Sequence, residues 1–292
     1  MPFPKYSHCD YSSEYLNIPV YRLEEAISRS IQSFSLQTRL DPEMDLDRFV
    51  DQFISNNIGG DFCWSLYFDP PFLVRLMYSG FLPICTQLGD GLYCLLPKLH
   101  KARTVLGLDE IFHVSKKVRK HAHKYILSIN RDFKGVVEGI HEQHGDSCWL
   151  YPPLENGLID LGTRQYILPG SCSVSVVSVE LWSAEDDRLV AGEVGYCVGS
   201  IYTSMTGFYR DDGSGSVQLA ALGGLLRRLK FTMWDFGMMM EYKRKFGCRE
   251  IPRREFVNKL REARDDGVVC RSLAEYSAPM NAVELIRELK TS

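Results

Sequence analysis

The stretch 177–256 constrains the fold of this chain more than any other part. Its residue pattern predicts, in order, a β-hairpin, a glycine loop, a helix, a short strand and a further helix. The short strand, 231–235, places the carboxylate of Asp235 behind a run of apolar residues. An acid at such a position is either a buried structural acceptor or a catalytic group at the mouth of a cleft.

The pattern along the whole chain predicts the α/β (α+β) class, with two units and a short extension. Residues 1–105 form a small N-terminal α/β domain, with helices at 23–34, 45–54 and 72–78 and strands at 81–85 and 92–96. Residues 271–292 form a C-terminal helical extension that contains an amphipathic helix at 280–290.

The second unit spans residues 106–270. Its helices are expected at 114–121, 133–143, 217–230, 239–246 and 253–265, and its strands at 125–129, 174–182, 189–202 and 231–235. This order of elements is typical of an N-acetyltransferase-like (GNAT-like) acyltransferase fold, in which a strand-to-helix joint presents backbone N–H groups to an acyl donor. Two adjacent glycines, Gly223 and Gly224, lie inside the helix at 217–230. Each costs about 1 kcal/mol relative to alanine, so another backbone is expected to pack closely there.

Charge is distributed unevenly, although the net charge is only −3. Between Lys98 and Lys124 there are eight Lys/Arg residues and two acids, a local balance of +6. A basic stripe of this kind is what a contact with a phosphate backbone requires. A solvated helix face has the same pattern, and the sequence leaves both interpretations open.

The nine cysteines are irregularly spaced and include no C-x-x-C pair, which indicates reduced thiols in a reducing compartment. The pairs His121/His123 and His141/His144 have no cysteine or acid partner at metal-ligand spacing, so no metal site is expected. The N-terminus has no apolar signal region, and no apolar run approaches the ~18 residues that a membrane span needs. We therefore expect a cytoplasmic protein.

Several short segments, in order along residues 71–256, resemble the leucyl/phenylalanyl-tRNA–protein transferase family. The segment 112–120 is similar to the family's F-H-x-S-R-x-x-R-R, 148–150 to T-W-I, and 178–182 with 189–195 to H-S-V-E-V-W…L-V-G-G-x-Y-G. The segment 199–210 stands where the family has G-x-x-F-x-G-E-S-M-F-S-R, and 246–254 is similar to L-G-A-x-x-I-P-R-R. In the first unit, 71–83 is similar to x-L-L-x-A-Y-x-x-G-I-F-P-W, one residue shorter and without the tryptophan.

The resemblance implies transfer of Leu or Phe from an aminoacyl-tRNA to a protein's N-terminal amine, which marks that protein for degradation. It implies no metal or nucleotide cofactor, and we expect a monomer that does not bind membranes. Asp235 corresponds to the family's catalytic aspartate, Trp149 to a tryptophan that lines the donor site, and Tyr78 to a tyrosine near the acceptor site. The tRNA phosphates would contact Lys116, Lys117, Arg119, Lys120 and Lys124.

Two departures from the family pattern put its acceptor preference in doubt. The acid that holds a basic acceptor residue falls at Met205, and the glutamine after the catalytic aspartate falls at Gly237. Methionine cannot pair with a guanidinium, and glycine has no side chain to relay a proton. Glu241 or Glu193 could supply a substitute acid, and the sequence does not choose between them.

Two other functions are compatible with the same pattern. The segment 210–215 fits the R-x-x-G-x-G loop with which acyltransferases of the GNAT type hold the pyrophosphate of coenzyme A. Two aspartates in that loop are unfavourable next to phosphate. The loss of the two polar residues at Met205 and Gly237 also allows a non-catalytic binding protein on the same scaffold.

Overall fold

A large mixed sheet organises the computed structural model, which describes residues 38–89, 91–163, 166–167, 173–265, 273–276 and 278–289. Nine strands form this sheet, in the order β10-β3-β9-β8-β7-β6-β4-β11, with β5 paired to β6. A separate antiparallel pair, β1-β2, makes a second small sheet. The predicted helix at 23–34 lies outside the described residues.

The described elements have the following bounds. The strands are β1 Leu82–Gly89, β2 Leu92–Lys98, β3 Ala102–Gly107, β4 Tyr125–Ile129, β5 Tyr166–Ile167, β6 Ser173–Ser183, β7 Leu189–Val198, β8 Ile201–Tyr209, β9 Met233–Asp235, β10 Arg249–Pro252 and β11 Met280–Asn281. The helices are α1 Leu46–Ser55, α2 Pro70–Tyr78, α3 Lys116–His121, α4 Phe133–His144, α5 Pro152–Thr163, α6 Ser214–Arg228, α7 Glu241–Phe246, α8 Arg253–Asp265 and α9 Ala282–Arg287. The predicted α/β class is confirmed, and so is the order hairpin, glycine loop, helix, strand.

Side-chain caps fix where several helices begin. The carboxylate of Asp45 accepts a hydrogen bond from the Arg48 N–H at the start of α1, and that of Asp69 accepts one from the Phe72 N–H at the start of α2. The Ser115 hydroxyl does the same for the Val118 N–H in the basic helix α3. Such a cap is worth about 1 kcal/mol, since it satisfies an N–H that the helix itself cannot pair.

The structure corrects the single strand predicted at 189–202. Strand β7 ends at Val198, and β8 begins at Ile201 and pairs antiparallel with it. Gly199, at φ +55°, makes the reversal possible because a glycine adopts this left-handed conformation without steric cost. The apolar run is continuous on both sides of the turn, so hydrophobicity alone does not reveal the reversal.

The two faces of the large sheet are covered by different sets of helices. Val176 belongs to a core that also contains buried residues of α1, α2, α4, α5 and α8. The next residue, Val177, belongs to a second core with α6, α9 and Phe246 of α7. Alternate residues of a strand point to opposite faces, so β6 separates the two cores. We call the first the α4 face and the second the α6 face.

The glycine pair in α6 confirms the prediction of close packing. A Cβ on Gly224 would overlap the main-chain carbonyl of Leu285 in α9, and one on Gly223 would come within 2.8 Å of the Phe112 ring. Helix α9 therefore lies against the backbone of α6 at a separation that only glycine permits.

Arginines connect the N-terminal elements to the rest of the chain. Arg253 donates to the carbonyls of Ile58 and Gly60 and to Asp61, and Arg264 pairs with Asp47 in the first turn of α1. Strand β3 crosses residue 105, where the first domain was predicted to end, and lies inside the large sheet. The division into 1–105, 106–270 and 271–292 stays a prediction.

Candidate functional site

Strands β8 and β9 part in the middle of the large sheet. They pair in parallel only between Ile201–Thr203 and Met233–Asp235. Beyond Thr203, β8 continues along β7 to Tyr209, whereas the chain after Asp235 stays bonded to β3. The Phe236 N–H donates to the Thr104 carbonyl at 2.8 Å, and the Thr104 N–H donates to the Gly237 carbonyl at 2.8 Å. A wedge therefore opens between β8 and the chain that follows Asp235.

Asp235 stands where this wedge begins, and it is fully buried. Its Oδ2 accepts hydrogen bonds from Arg103 Nη1 at 2.9 Å and from Thr203 Oγ1 at 3.2 Å. Its Oδ1 accepts one from the Gly237 N–H at 2.8 Å. The side chain thus shows no surface to an open cleft, and its charge is compensated by an equally buried guanidinium.

The two apolar replacements both lie at the wedge. Gly237 has φ +69°, and a Cβ on it would meet no atom within 4 Å, so its position faces open space. Met205 is the unpaired residue of a β-bulge in β8, because Val194 pairs with Thr206 and Gly195 pairs with Ser204. Bulges next to functional sites redirect side chains. Met205 is half-buried against the core of the α4 face.

Trp149 and Tyr78 pack against the same core as Met205. Trp149 is half-buried, and its neighbour Tyr151 lies 5.5 Å from Tyr93 between ring centroids. The Arg264 guanidinium covers the Tyr78 ring at 4.0 Å, which gives that tyrosine a structural role in joining α2 to α8. The hydrogen bonds to the Asp235 carboxylate described above come from Arg103, Thr203 and Gly237. The predicted substrate contacts of Trp149 and Tyr78 stay predictions.

The predicted tRNA-binding residues are all exposed, and they lie on α3 and just after it. Helix α3 packs beside α6 through Val114 and Val118, which contact the core of the α6 face. Lys117 Nζ lies 2.7 Å from Asp212 Oδ2 in the glycine loop that follows β8. This exposed pair contributes little to stability. It shows that the basic helix lies beside the C-terminal end of β8, where that strand leaves the wedge.

The two aspartates of the glycine loop before α6 both form ion pairs with nearby side chains. Asp211 pairs with Arg188 at 3.0 Å and Asp212 pairs with Lys117. Arg210 donates to Glu142 and to the Leu189 carbonyl. Two carboxylates at a helix N-terminus repel a pyrophosphate, so the loop does not favour coenzyme A.

Sequence reasoning missed two buried cations at the site. Arg103 also donates to the Gly80 carbonyl at 2.7 Å, and Lys243 of α7 donates to the carbonyls of Phe236 and Met238, each at 2.7 Å. Burial lowers the pKa of Lys243, although Asp235 opposes that shift. In the sequence both residues look like ordinary surface cations, because a basic residue next to apolar ones carries no sign of burial.

Glu193 and Glu241, the two possible substitute acids, differ sharply. The Glu241 side chain is 72% exposed and lies 3.5 Å from Lys245. Glu193 is buried on β7, where its Oε1 accepts hydrogen bonds from Tyr202 and Ser204. Burial raises the pKa of Glu193 above its usual range.

The described part of the chain contains no group of three His, Cys, Asp or Glu side chains placed to hold a metal ion. The six cysteines in this part form no disulfide, and burial raises the pKa of Cys63 and of Cys94 to about 12. Within the same residues, none of the helices has the length and apolar character needed to cross a membrane.

A mixed sheet whose central parallel strands part beside a glycine-led helix is the arrangement predicted for a GNAT-like acyltransferase fold. The sequence model of one family, described as Leucyl/phenylalanyl-tRNA protein transferase, matches residues 105–261. This segment is more than half of the 292 residues and contains the whole wedge and the basic helix. The chain belongs to the leucyl/phenylalanyl-tRNA protein transferase family.

Individual relatives agree with this assignment. A leucyl/phenylalanyl-tRNA–protein transferase of Dinoroseobacter shibae is 28% identical over 197 residues, covering 66% of this chain and 81% of the relative. One of Zymomonas mobilis is 26% identical over 200 residues, covering 67% of this chain and 69% of the relative.

Two solved structures with a similar arrangement of elements are more distant in sequence. The C-terminal domain of a putative lysylphosphatidylglycerol synthetase from Agrobacterium fabrum has a TM-score of 0.39 and 13% identity, and covers 74% of each chain. The structure titled L-PGS from Bacillus licheniformis has a TM-score of 0.38 and 13% identity, and covers 70% of each. Similarity at this level carries no conclusion about function.

Proposed function

We propose that this protein transfers Leu or Phe from the 3′ end of an aminoacyl-tRNA to the N-terminal amine of a protein. The family match over residues 105–261 carries the proposal, because that segment includes both the wedge and the basic helix. Cytoplasmic location, a monomeric state and a role in tagging proteins for degradation stay predictions attached to it.

The reaction needs positioning rather than activation, since the ester is already reactive. A neutral N-terminal amine attacks the ester carbonyl, a C–N bond forms, and the bond to the terminal ribose oxygen breaks. The amine loses one proton and the ribose oxygen gains one, so the exchange balances without a cofactor. Holding both reactants in place can supply about 7–11 kcal/mol of the barrier reduction.

The wedge supplies a place for this exchange. Its wall on one side is β8 from Ser204 onward, and on the other it is the segment that Lys243 and the Gly237 N–H hold. The adjoining basic helix α3 is positioned to hold tRNA phosphates, as exposed lysines and arginines do without reading sequence.

Asp235 acts in this proposal as a positioning residue. It is fully buried and accepts three hydrogen bonds, so it fixes the turn at Gly237 and orients Arg103. A direct role as proton acceptor would require the pair with Arg103 to open.

The purified full chain tests the proposal when it is incubated at low salt with tRNA charged with labelled Leu or Phe. A panel of peptides that differ in the N-terminal residue supplies acceptors, and uncharged tRNA and acetyl-CoA serve as control donors. We expect label in the peptide from charged tRNA alone. If no peptide is labelled from either charged tRNA, the proposed function is wrong.

One observation favours a second candidate, a binding protein without chemistry. Asp235 is sealed by Arg103, and the two family polar positions are Met205 and Gly237. Peptide labelling combined with a filter-binding assay separates the two functions. A binding protein without chemistry would retain charged tRNA on the filter but label no peptide.

A further inference from the structure

Glu193 is a nearly buried carboxylate for which the proposed transfer step has no use. It is 6% exposed, and its Oε1 accepts hydrogen bonds from Tyr202 Oη at 2.8 Å and from Ser204 Oγ at 2.7 Å. Among the described residues it forms no ion pair. A buried carboxylate held by two neutral hydroxyls is stable as an anion only when a cation comes close.

Glu193 lies on the face of the sheet opposite to Asp235. Tyr202 and Thr203 are neighbours on β8 and point to opposite faces. Thr203 bonds to Asp235 and Tyr202 bonds to Glu193, so the two acids are separated by the sheet. Tyr202 belongs to the core of the α6 face, which places Glu193 on that face.

Glu193 also lies where the wedge starts. Its partner Ser204 is the first residue of β8 beyond the pairing with β9, and the Ser204 hydroxyl accepts a hydrogen bond from Trp234 Nε1 at 2.9 Å. The nearby ammonium of Lys243 donates to two carbonyls of the opposite wall instead of pairing directly with Glu193. The carboxylate is therefore bound to the wall of the wedge and has no counter-ion in contact among the described residues.

The α6 face is the side from which a charged tRNA would enter. The basic helix α3 packs on this face through Val114 and Val118, and Lys117 contacts the glycine loop between β8 and α6. A tRNA held by α3 would bring its esterified amino acid into the wedge on the side of Glu193, while Asp235 faces the other side.

We propose that Glu193 binds a cationic group of the amino acid that the charged tRNA delivers. The inference rests on the proposed function and adds a recognition element for the donor. Two sources present this chemistry: the α-ammonium, which every esterified amino acid carries, and the side chain of a basic amino acid. The missing acid at Met205 concerns the acceptor, and Glu193 does not replace it in this proposal.

The test compares Glu193→Gln with Glu255→Gln, an exposed acid on α8 that pairs locally with Lys259 and serves as the matched control. Transfer rates are measured for the full chain with tRNA charged with Leu, Phe, Lys or Arg, each against the same panel of acceptor peptides. Thermal melting checks that each variant folds. Glu193→Asp, which keeps the charge but shortens its reach, provides a second variant if the glutamine does not fold.

We expect Glu193→Gln to lower kcat/KM at least tenfold, with Glu255→Gln within twofold of the wild type. An equal loss for all four donors identifies the α-ammonium, and a loss confined to Lys and Arg identifies a basic side chain. A folded Glu193 variant with wild-type rates for every donor overturns the inference and leaves the proposed function intact. A loss that follows the acceptor peptide rather than the donor overturns it as well. No transfer by the wild type from any donor refutes the proposed function, and this inference with it.

Discussion

Arg103 and Asp235 form an ion pair at 2.9 Å in which the two side chains are 1% and 0% exposed. The same guanidinium donates to the Gly80 carbonyl and lies 4.6 Å from the Phe256 ring centre. One arginine of β3 thus connects the end of α2, the strand of the candidate site and helix α8.

The pair predicts that Asp235→Asn destabilises the fold as well as changing activity. The substitution leaves the Arg103 charge buried without its partner, which typically costs about 3–5 kcal/mol. Urea unfolding followed by circular dichroism measures the loss. The activity of this variant is measured without urea, at a temperature at which its thermal melt shows that it is folded.

A double variant separates the charge from the packing. When Arg103→Leu and Asp235→Leu are combined, no unpaired charge remains, so the free energy of unfolding should fall by less than the sum of the single variants. Additive losses would show that the two charges do not stabilise each other.

The basic helix predicts a measurable salt dependence of tRNA binding. Replacing Lys116, Lys117 and Lys120 by Glu should weaken binding and lower the slope of log K against log salt by about 2–3, since each phosphate contact contributes about 0.7–0.9. Lys259→Glu in α8 is the control, because this residue is on a different helix and pairs locally with Glu255. Equal slopes for all variants would remove α3 from the tRNA-binding surface.

Buried His100 predicts a loss of stability in mild acid. Burial, followed by the charges of Arg103, Lys98, Lys243 and Arg253, lowers the pKa of His100 well below its usual value. Below about pH 6.5 His100 binds a proton in the unfolded chain but stays neutral in the folded chain. Its contribution to the free energy of unfolding is therefore complete above that pH and falls as the pH decreases. The slope attributable to this residue reaches about 1.4 kcal/mol per pH unit.

Urea unfolding between pH 7.5 and 5 measures this slope for the wild type and for His100→Asn. The variant should show the smaller pH dependence, and His123→Asn, which replaces an exposed histidine, should match the wild type. Parallel curves for all three proteins would assign the acid sensitivity to other groups.

The glycines of α6 predict opposite effects of the same substitution. Gly224→Ala would push a methyl group into the Leu285 carbonyl, and we expect a loss of more than about 2 kcal/mol. At Gly215 the nearest atom to a new methyl is 3.5 Å away, so Gly215→Ala should be neutral or stabilise by about 0.5–1 kcal/mol. Thermal melts of the two variants decide, and a neutral Gly224→Ala would contradict the close helix contact.

Local signals predicted many of the elements well. The helices predicted at 45–54 and 72–78 are present as α1 and α2, and the alternating residues of β6 and the glycine loop before α6 are where the pattern placed them. Helix α5, whose first two residues are prolines, was not predicted, although proline suits the first turn of a helix. Strand β3 was not predicted because its buried Arg103 interrupts the apolar pattern.

The sequence pointed to some residues of the candidate site but not to their surroundings, and the roles assigned to those residues stay predictions. The resemblance located Asp235, Met205 and Gly237, which the structure places along one wedge. Its enclosure could not be predicted, since the ion pair with Arg103 spans 132 residues of sequence. Glu193 and Asp235 point to opposite faces of the sheet. The face of each residue can be assigned only once the β7–β8 turn at Gly199 is known.

The contact between Gly224 and Leu285 has a consequence for how this chain can be shortened. The family match ends at residue 261, yet helix α9 lies beyond it and shields the leucines of α6 from water. Truncation at residue 261 would expose Leu222, Leu225 and Leu226 to solvent. Such an exposed hydrophobic patch is expected to cause aggregation. Helix α9 is therefore part of the core of the family-matched unit, and any minimal fragment must keep it.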